Sequence, residues 1–169
     1  MENNKNLTAS EGLEKLKELV NAINICLFST NLQKNDGATF RPMSAQEVDK
    51  DGNIWFFSGK DSDKNLEIQK DNLVQLVFSD PSQSSYLIVN GMAEIVVDRH
   101  KIEELWSPAI KIWFEKGKED SNISLIKVKT QTAFYWDTEG NKMINFFKYL
   151  ASVATGSNLT TSVKGSIKV

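Results

Sequence analysis

The chain of 169 residues holds one cysteine, Cys26, and one histidine, His100. A single cysteine excludes an intrachain disulfide. With one histidine beside it, a Cys/His zinc site is also excluded. Nucleophilic machinery of the Ser-His-Asp or Cys-His kind would have to use His100. That residue sits in the polar stretch Asp98-Arg99-His100-Lys101, with no nucleophile brought to it. Cys26 lies in an apolar run and reads as a core thiol. Positive charge is not in excess: 20 Lys+Arg against 22 Asp+Glu give a net charge of -2. Sequence-independent nucleic-acid binding needs the opposite balance. No apolar run approaches the roughly 18–20 residues that span a bilayer. The start, Met1-Glu2-Asn3-Asn4-Lys5, has no apolar signal core behind it. These absences predict a cytoplasmic protein with neither a nucleic-acid nor a membrane partner. Only three prolines occur, and no Pro- or Ser-rich linker or internal repeat divides the chain. We read one domain over 1–169, with a weaker pattern after residue 142.

What is present is ordinary globular composition, 40% hydrophobic and 25% charged. Thr8-x-x-Glu11 has the form of a capping box. Leu13, Leu16 and Val20 then form an apolar stripe opposite Glu14, Lys15, Lys17 and Glu18, which predicts a helix laid on a core. From residue 23 the pattern turns to strands. Candidates are 23–30, 39–48 (interrupted by Pro42) and 53–58, with turn signals at Asp36-Gly37 and Asp51-Gly52. These read as an antiparallel meander. A short helix follows at 62–68, with Ser62 as N-cap. Strands are predicted at 73–79 and 85–97. The latter buries its odd positions, where Gly91 and Ala93 leave room for close packing or a bend. Asp98 caps a helix, and Ser107-Pro108 restarts it. Late strands fall at 121–129 and 132–136, a helix at 143–154, and an edge strand at 162–169. About six antiparallel strands in so short a chain are most economically closed into a small barrel.

Few residues suggest chemistry. Acid pairs such as Glu103-Glu104 read as solvated faces. Arg41 is one of only two arginines and stands inside a strand beside Pro42. Ser62 and Lys64 open a helix, where free N–H groups, a hydroxyl and an ammonium suit a phosphate. Read as ordinary structure, they are a capped helix with a nearby lysine. Of the four tryptophans, Trp55 and Trp106 fit a core. Trp113 and Trp136 are left as core or as walls for a flat aromatic ligand.

Taken in order, these motifs resemble a family. Lys34-Asn35-Asp36-Gly37, Arg41-Pro42-Met43, Gly52-Asn53-Ile54-Trp55-Phe56-Phe57-Ser58 and Ser62-Asp63-Lys64 resemble the first half of a pyridoxamine phosphate oxidase-like, FMN-binding split barrel. Val89-Asn90-Gly91-Met92-Ala93, the stretch from Asp98 to Trp106, Lys111-Ile112-Trp113-Phe114, Gly117 and Phe134-Tyr135-Trp136-Asp137 resemble its bacterial general stress protein branch. The series covers residues 10–160.

The resemblance implies a six-stranded antiparallel split β-barrel that forms a homodimer, with FMN at the interface. It implies that Arg41, Pro42 and Met43 run beside the flavin ring and reach its phosphate side. Phe57 and Ser58 match the dipeptide of the paired strand near the flavin. Ser62 and Lys64 match the phosphate turn, and Trp113 the segment a second subunit brings. Trp136 is followed by Asp137-Thr138-Glu139-Gly140, without the Arg/His segment of the true oxidase, so oxidation of pyridoxamine phosphate is not expected. Flavin carries its own redox chemistry and needs no protein acid or base for it. Three readings stand: a homodimeric FMN oxidoreductase, a non-catalytic module for flavin, haem or deazaflavin, and a barrel kept only as a dimeric scaffold.

Overall fold

In the computed structural model, residues 9–136 and 144–145 are described. Helix α1 (Ala9–Ile23) buries Leu16, Leu19 and Val20, the stripe the sequence predicts. Thr8 and the expected elements at 146–154 and 162–169 lie outside the described residues. The strands are β1 (Ile25–Thr30), β2 (Thr39–Ser44), β3 (Glu47–Val48), β4 (Asn53–Gly59), β5 (Leu73–Asp80), β6 (Ser85–Val96) and β7 (Ile123–Trp136). A two-residue strand, β8 (Ile144–Asn145), pairs with β7 where the sequence predicts the start of a helix. Helix α2 (Asp63–Lys70) lies between β4 and β5, and α3 (Arg99–Leu105) follows β6.

All pairings are antiparallel, in the order β2-β1-β5-β6-β7-β4-β3. Seven strands on this path replace the six expected. The predicted strand 39–48 divides, because its first half pairs with β1 and its second with β4. The expected meander is therefore broken at residues 45–46. There the backbone of Ala45 donates to Asn24, on the β1 side, and that of Gln46 to Trp55 on β4. The two end strands of the sheet are thus consecutive in sequence, and the sheet must curl until they meet. Phe28 of β1 and Phe56 of β4 show the curl directly: with three strands between them in the ladder, their rings meet edge to face at 5.3 Å. Pro42 sits within β2, which has β1 as its one ladder neighbour, so the missing N–H costs little.

Inside the curl lie Phe28, Phe56, Leu76, Phe78, Leu87 and Val89, all fully buried. A second apolar cluster, Trp55, Ile102, Ile110, Phe114 and Leu125, packs α3 and the 3-10 segment Pro108–Trp113 onto the outer side of β4 and β7. The Asp98 side chain accepts from the His100 and Lys101 N–H groups, as a cap should. Gly91 stands at a register shift between β6 and β7. A Cβ there would lie 2.5 Å from the Lys129 carbonyl oxygen, so the strands close up only because it is absent.

Candidate ligand-binding site

The edges of β2 and β4 flank a cavity of about 440 Å3. That is within the range of about 300–1,000 Å3 common for small-molecule sites. Arg41, Pro42 and Met43 line it from β2, Phe57 and Ser58 from β4, Lys64 from α2 and Trp113 from the 3-10 segment. Seven of the eight residues singled out from the sequence therefore share one cavity. The eighth, Ser62, stands behind it with its hydroxyl 3.2 Å from that of Ser58.

One end of the cavity is cationic. Arg41 gives Nη2 to the Glu67 carboxylate at 2.6 Å, and the same oxygen accepts from Thr30 Oγ1 at 2.5 Å. Nη1 of Arg41 is shielded from solvent and has no hydrogen-bond partner among the described residues. A charged donor left this way is costly and calls for an acceptor. Lys64 is half-buried near it. Burial, then the Arg41 charge, hold its ammonium below the usual lysine value, with Asp63 acting the other way. For Glu67, burial raises the pKa. The hydrogen bonds from Thr30 and Arg41 outweigh it and keep the carboxyl below its ordinary value.

A buried polar chain supports this end. Ser58 donates to Asn65 Oδ1 at 2.7 Å, Asn65 Nδ2 donates to Ser124 Oγ at 3.0 Å, and Ser124 Oγ donates to the Ser58 carbonyl at 3.1 Å. With the Ser58 proton committed to Asn65, Ser62 is the donor of the Ser58–Ser62 bond. Ser62 occupies the N-cap position of α2, but its side chain makes no cap hydrogen bond. The cap expected from sequence is present in the backbone only, because the buried Ser58 takes the hydroxyl. Asn65 fastens α2 to β4 and β7, which fixes where Lys64 stands.

The apolar part of the lining is Pro42, Met43, Phe57, Ile110, Phe114 and Trp113. Phe57 meets Trp106 edge to face at 5.9 Å. Trp113 is 76% exposed at the rim. It reaches the cavity of its own chain, whereas the resemblance implied a second subunit's copy. Sequence reasoning missed Ser44, Gln46, Gly59, Ile110, Phe114 and Asn122 as lining residues. The signal for the first three was adjacency to the two matched strand motifs. Ile110 and Phe114 flank or belong to the motif that holds Trp113, and Asn122 alone of the six stands apart from the matched motifs. His100 is exposed, and Cys26 is buried with its thiol pushed up to about 12, so neither takes part. Trp136 ends β7, and residues 137–140 lie outside the described residues. Among the described residues, no cluster of His, Cys, Asp and Glu is suited to a metal, and no helix is long and apolar enough to cross a membrane.

Curled antiparallel sheet, flanking helices and a cavity at the sheet's seam define a split-barrel protein. The family described as pyridoxamine 5'-phosphate oxidase like matches residues 11–160, and the chain belongs to it. It is similar to Protein bli-3 of Neurospora crassa, 23% identical over 159 residues that cover 89% of this chain and 76% of that protein. Among solved structures it shares its fold with a Clostridium acetobutylicum protein related to general stress protein 26 (TM-score 0.68, 23% identity, 83% of this chain and 96% of the other). It also shares it with the general stress FMN/FAD binding protein of Xanthomonas citri (TM-score 0.64, 23% identity, 95% and 100%).

Proposed function

We propose that the protein is a homodimeric, general stress-type flavoprotein that binds FMN in this cavity, with oxidoreductase chemistry carried by the flavin. The observation that supports it most is one cavity lined by two cations, Arg41 and Lys64, together with the aromatic rings of Phe57, Phe114 and Trp113. FMN has matching parts, a phosphate at one end and a flat ring at the other. Arg41 and Lys64 would hold the phosphate, and the unpartnered Nη1 of Arg41 fits such an acceptor. Pro42, Met43 and Phe57 would exclude water from the ring. When bound, the flavin supplies electron or hydride transfer itself.

The dimer belongs to the same proposal. On the outer face of the sheet, Pro42, Leu27, Val77, Ile88 and Phe134 stand side by side across five strands. Leu27 is 48% exposed. A row of this kind calls for a cover, and a second copy is the occupant we infer, because Pro42 belongs both to the row and to the cavity wall. Covering the row would then also close the cavity. A cytoplasmic location is part of this reading, since the one cysteine is free and buried.

The test is titration of the purified protein with FMN and riboflavin, followed by reduction with NAD(P)H and reoxidation by an acceptor. We expect a flavin visible spectrum, preference for FMN, and turnover. Stable binding without turnover would favour a non-catalytic flavin module. No binding of either flavin would overturn the proposal.

A further inference from the structure

Glu67 has no role in the reading above, yet it is the most firmly held carboxylate beside the cavity. One oxygen accepts from both Arg41 and Thr30. Thr30 is fully buried. Glu67 lies three residues beyond Lys64 on α2, so the two share a helix face. The helix thus presents an ammonium to the cavity and a carboxylate to the arginine that borders it.

We propose that Glu67 is a positioning residue for the anion end of the cavity: by taking one edge of the Arg41 guanidinium it keeps the other edge in place for the ligand's phosphate. Arg41 is long, and it stands near Lys64, whose charge repels it. Without an anchor, that repulsion and the many rotamers of the side chain favour a turn toward solvent. With the anchor, the guanidinium stays at the wall, with Nη1 buried and unpartnered, a donor that calls for an acceptor.

The inference rests on the cavity taking a phosphorylated flavin, and the test separates the two claims. FMN and riboflavin share the ring and differ in the phosphate, so their affinity ratio reads the anion end alone. Glu67→Ala and Glu67→Met remove the acceptor, and Met keeps the bulk should the Ala variant fail to fold. Glu67→Gln keeps an acceptor oxygen and removes the charge. In the loss variants we expect the preference for FMN to fall by about tenfold or more, with riboflavin affinity unchanged. Glu67→Gln should retain the preference. Both flavins weakened together, with their affinity ratio unchanged, would mean that Glu67 only braces the fold, and would overturn its role toward the phosphate. A wild type that prefers FMN, with loss variants that prefer it equally, overturns the role of Glu67 alone. So does a loss as large in Glu67→Gln as in Glu67→Ala. A wild type with no preference for FMN overturns the cavity reading and this inference with it.

Discussion

Replacing Lys64 by alanine separates binding from folding at this site. Lys64 has no ion-pair partner among the described residues, and burial and Arg41 both disfavour its charge. The folded protein without ligand therefore gains nothing from the ammonium. Alanine also favours the helix slightly more than lysine does. The melting temperature of the unliganded variant should equal or exceed that of the wild type. Ligand binding should move the other way. A hydrogen bond to a charged group contributes about 1.5–3 kcal/mol, which converts to roughly 10- to 150-fold in FMN affinity. At a free FMN concentration of 100 times the wild-type dissociation constant, the ligand adds about 2.7 kcal/mol of stability. A 30-fold weaker variant at the same concentration gains about 0.9 kcal/mol. For a domain of this size those terms correspond to about 5–11 °C and about 2–4 °C. Thermal melts with and without FMN, beside titrations with riboflavin, measure every quantity. Lys70→Ala, an exposed lysine on the same helix, is the control and should change neither. If Lys64→Ala weakened both flavins alike or neither, Lys64 would not be a phosphate ligand; a lower melting point without ligand would show instead that the lysine stabilises the free fold.

Other expectations are checked more simply. Gly91→Ala brings a Cβ to 2.5 Å from a backbone carbonyl that cannot swing away; it should cost about 1–3 kcal/mol by chemical denaturation. An unchanged midpoint would mean that the strands separate freely at the bulge. Leu27→Asp puts a charge within the outer apolar row and should halve the mass seen by light scattering, with the circular dichroism spectrum unaltered. A dimer that survives it does not use this face. Bound phosphate favours the protonated ammonium of Lys64, whose pKa in the free protein lies below 10.5. The FMN-to-riboflavin affinity ratio should therefore fall as pH rises through the window beneath that value. A ratio that stays flat there would separate Lys64 from the phosphate.

Much of the fold is legible because its signals are local. Gly52 turns at a φ of +78° and Gly37 at +93°, as their Asp-Gly pairs predict. The alternation through β6 buries Leu87, Val89, Gly91 and Ala93 on one face. The misread elements share a cause: something non-local decides them. Residues 121–129 and 132–136 read as two strands but form the single strand β7. Asn90 faces Thr132 while Gly91 faces Thr130, so Gln131 is an extra residue that breaks the two-residue period. Residues 39–48 have strand character throughout, and only the choice of partner divides them. Within the site, Arg41 and Lys64 stand out as cations in unusual places. Glu67 does not, because one more charge on a short polar helix looks solvated until Arg41, 26 residues away, is brought to it.

The position of the cavity follows from the same division of strands. β3 is two residues long and pairs with Ile54 and Trp55, which leaves the edge of β4 beyond them, Phe57 to Gly59, without a strand partner among the described residues. Among the same residues β2 pairs with β1 alone, so its opposite edge, from Arg41 to Ser44, is equally open. Two open edges facing across a seam invite pairing with another chain unless something keeps them apart or covers them. Here Ile110 and Phe114 wall the β4 side, and Lys64 with Arg41 places like charges at one end, where a further strand would have to desolvate both. The features that keep the seam from zipping shut are the ones that make it a site: an apolar wall and a pair of cations.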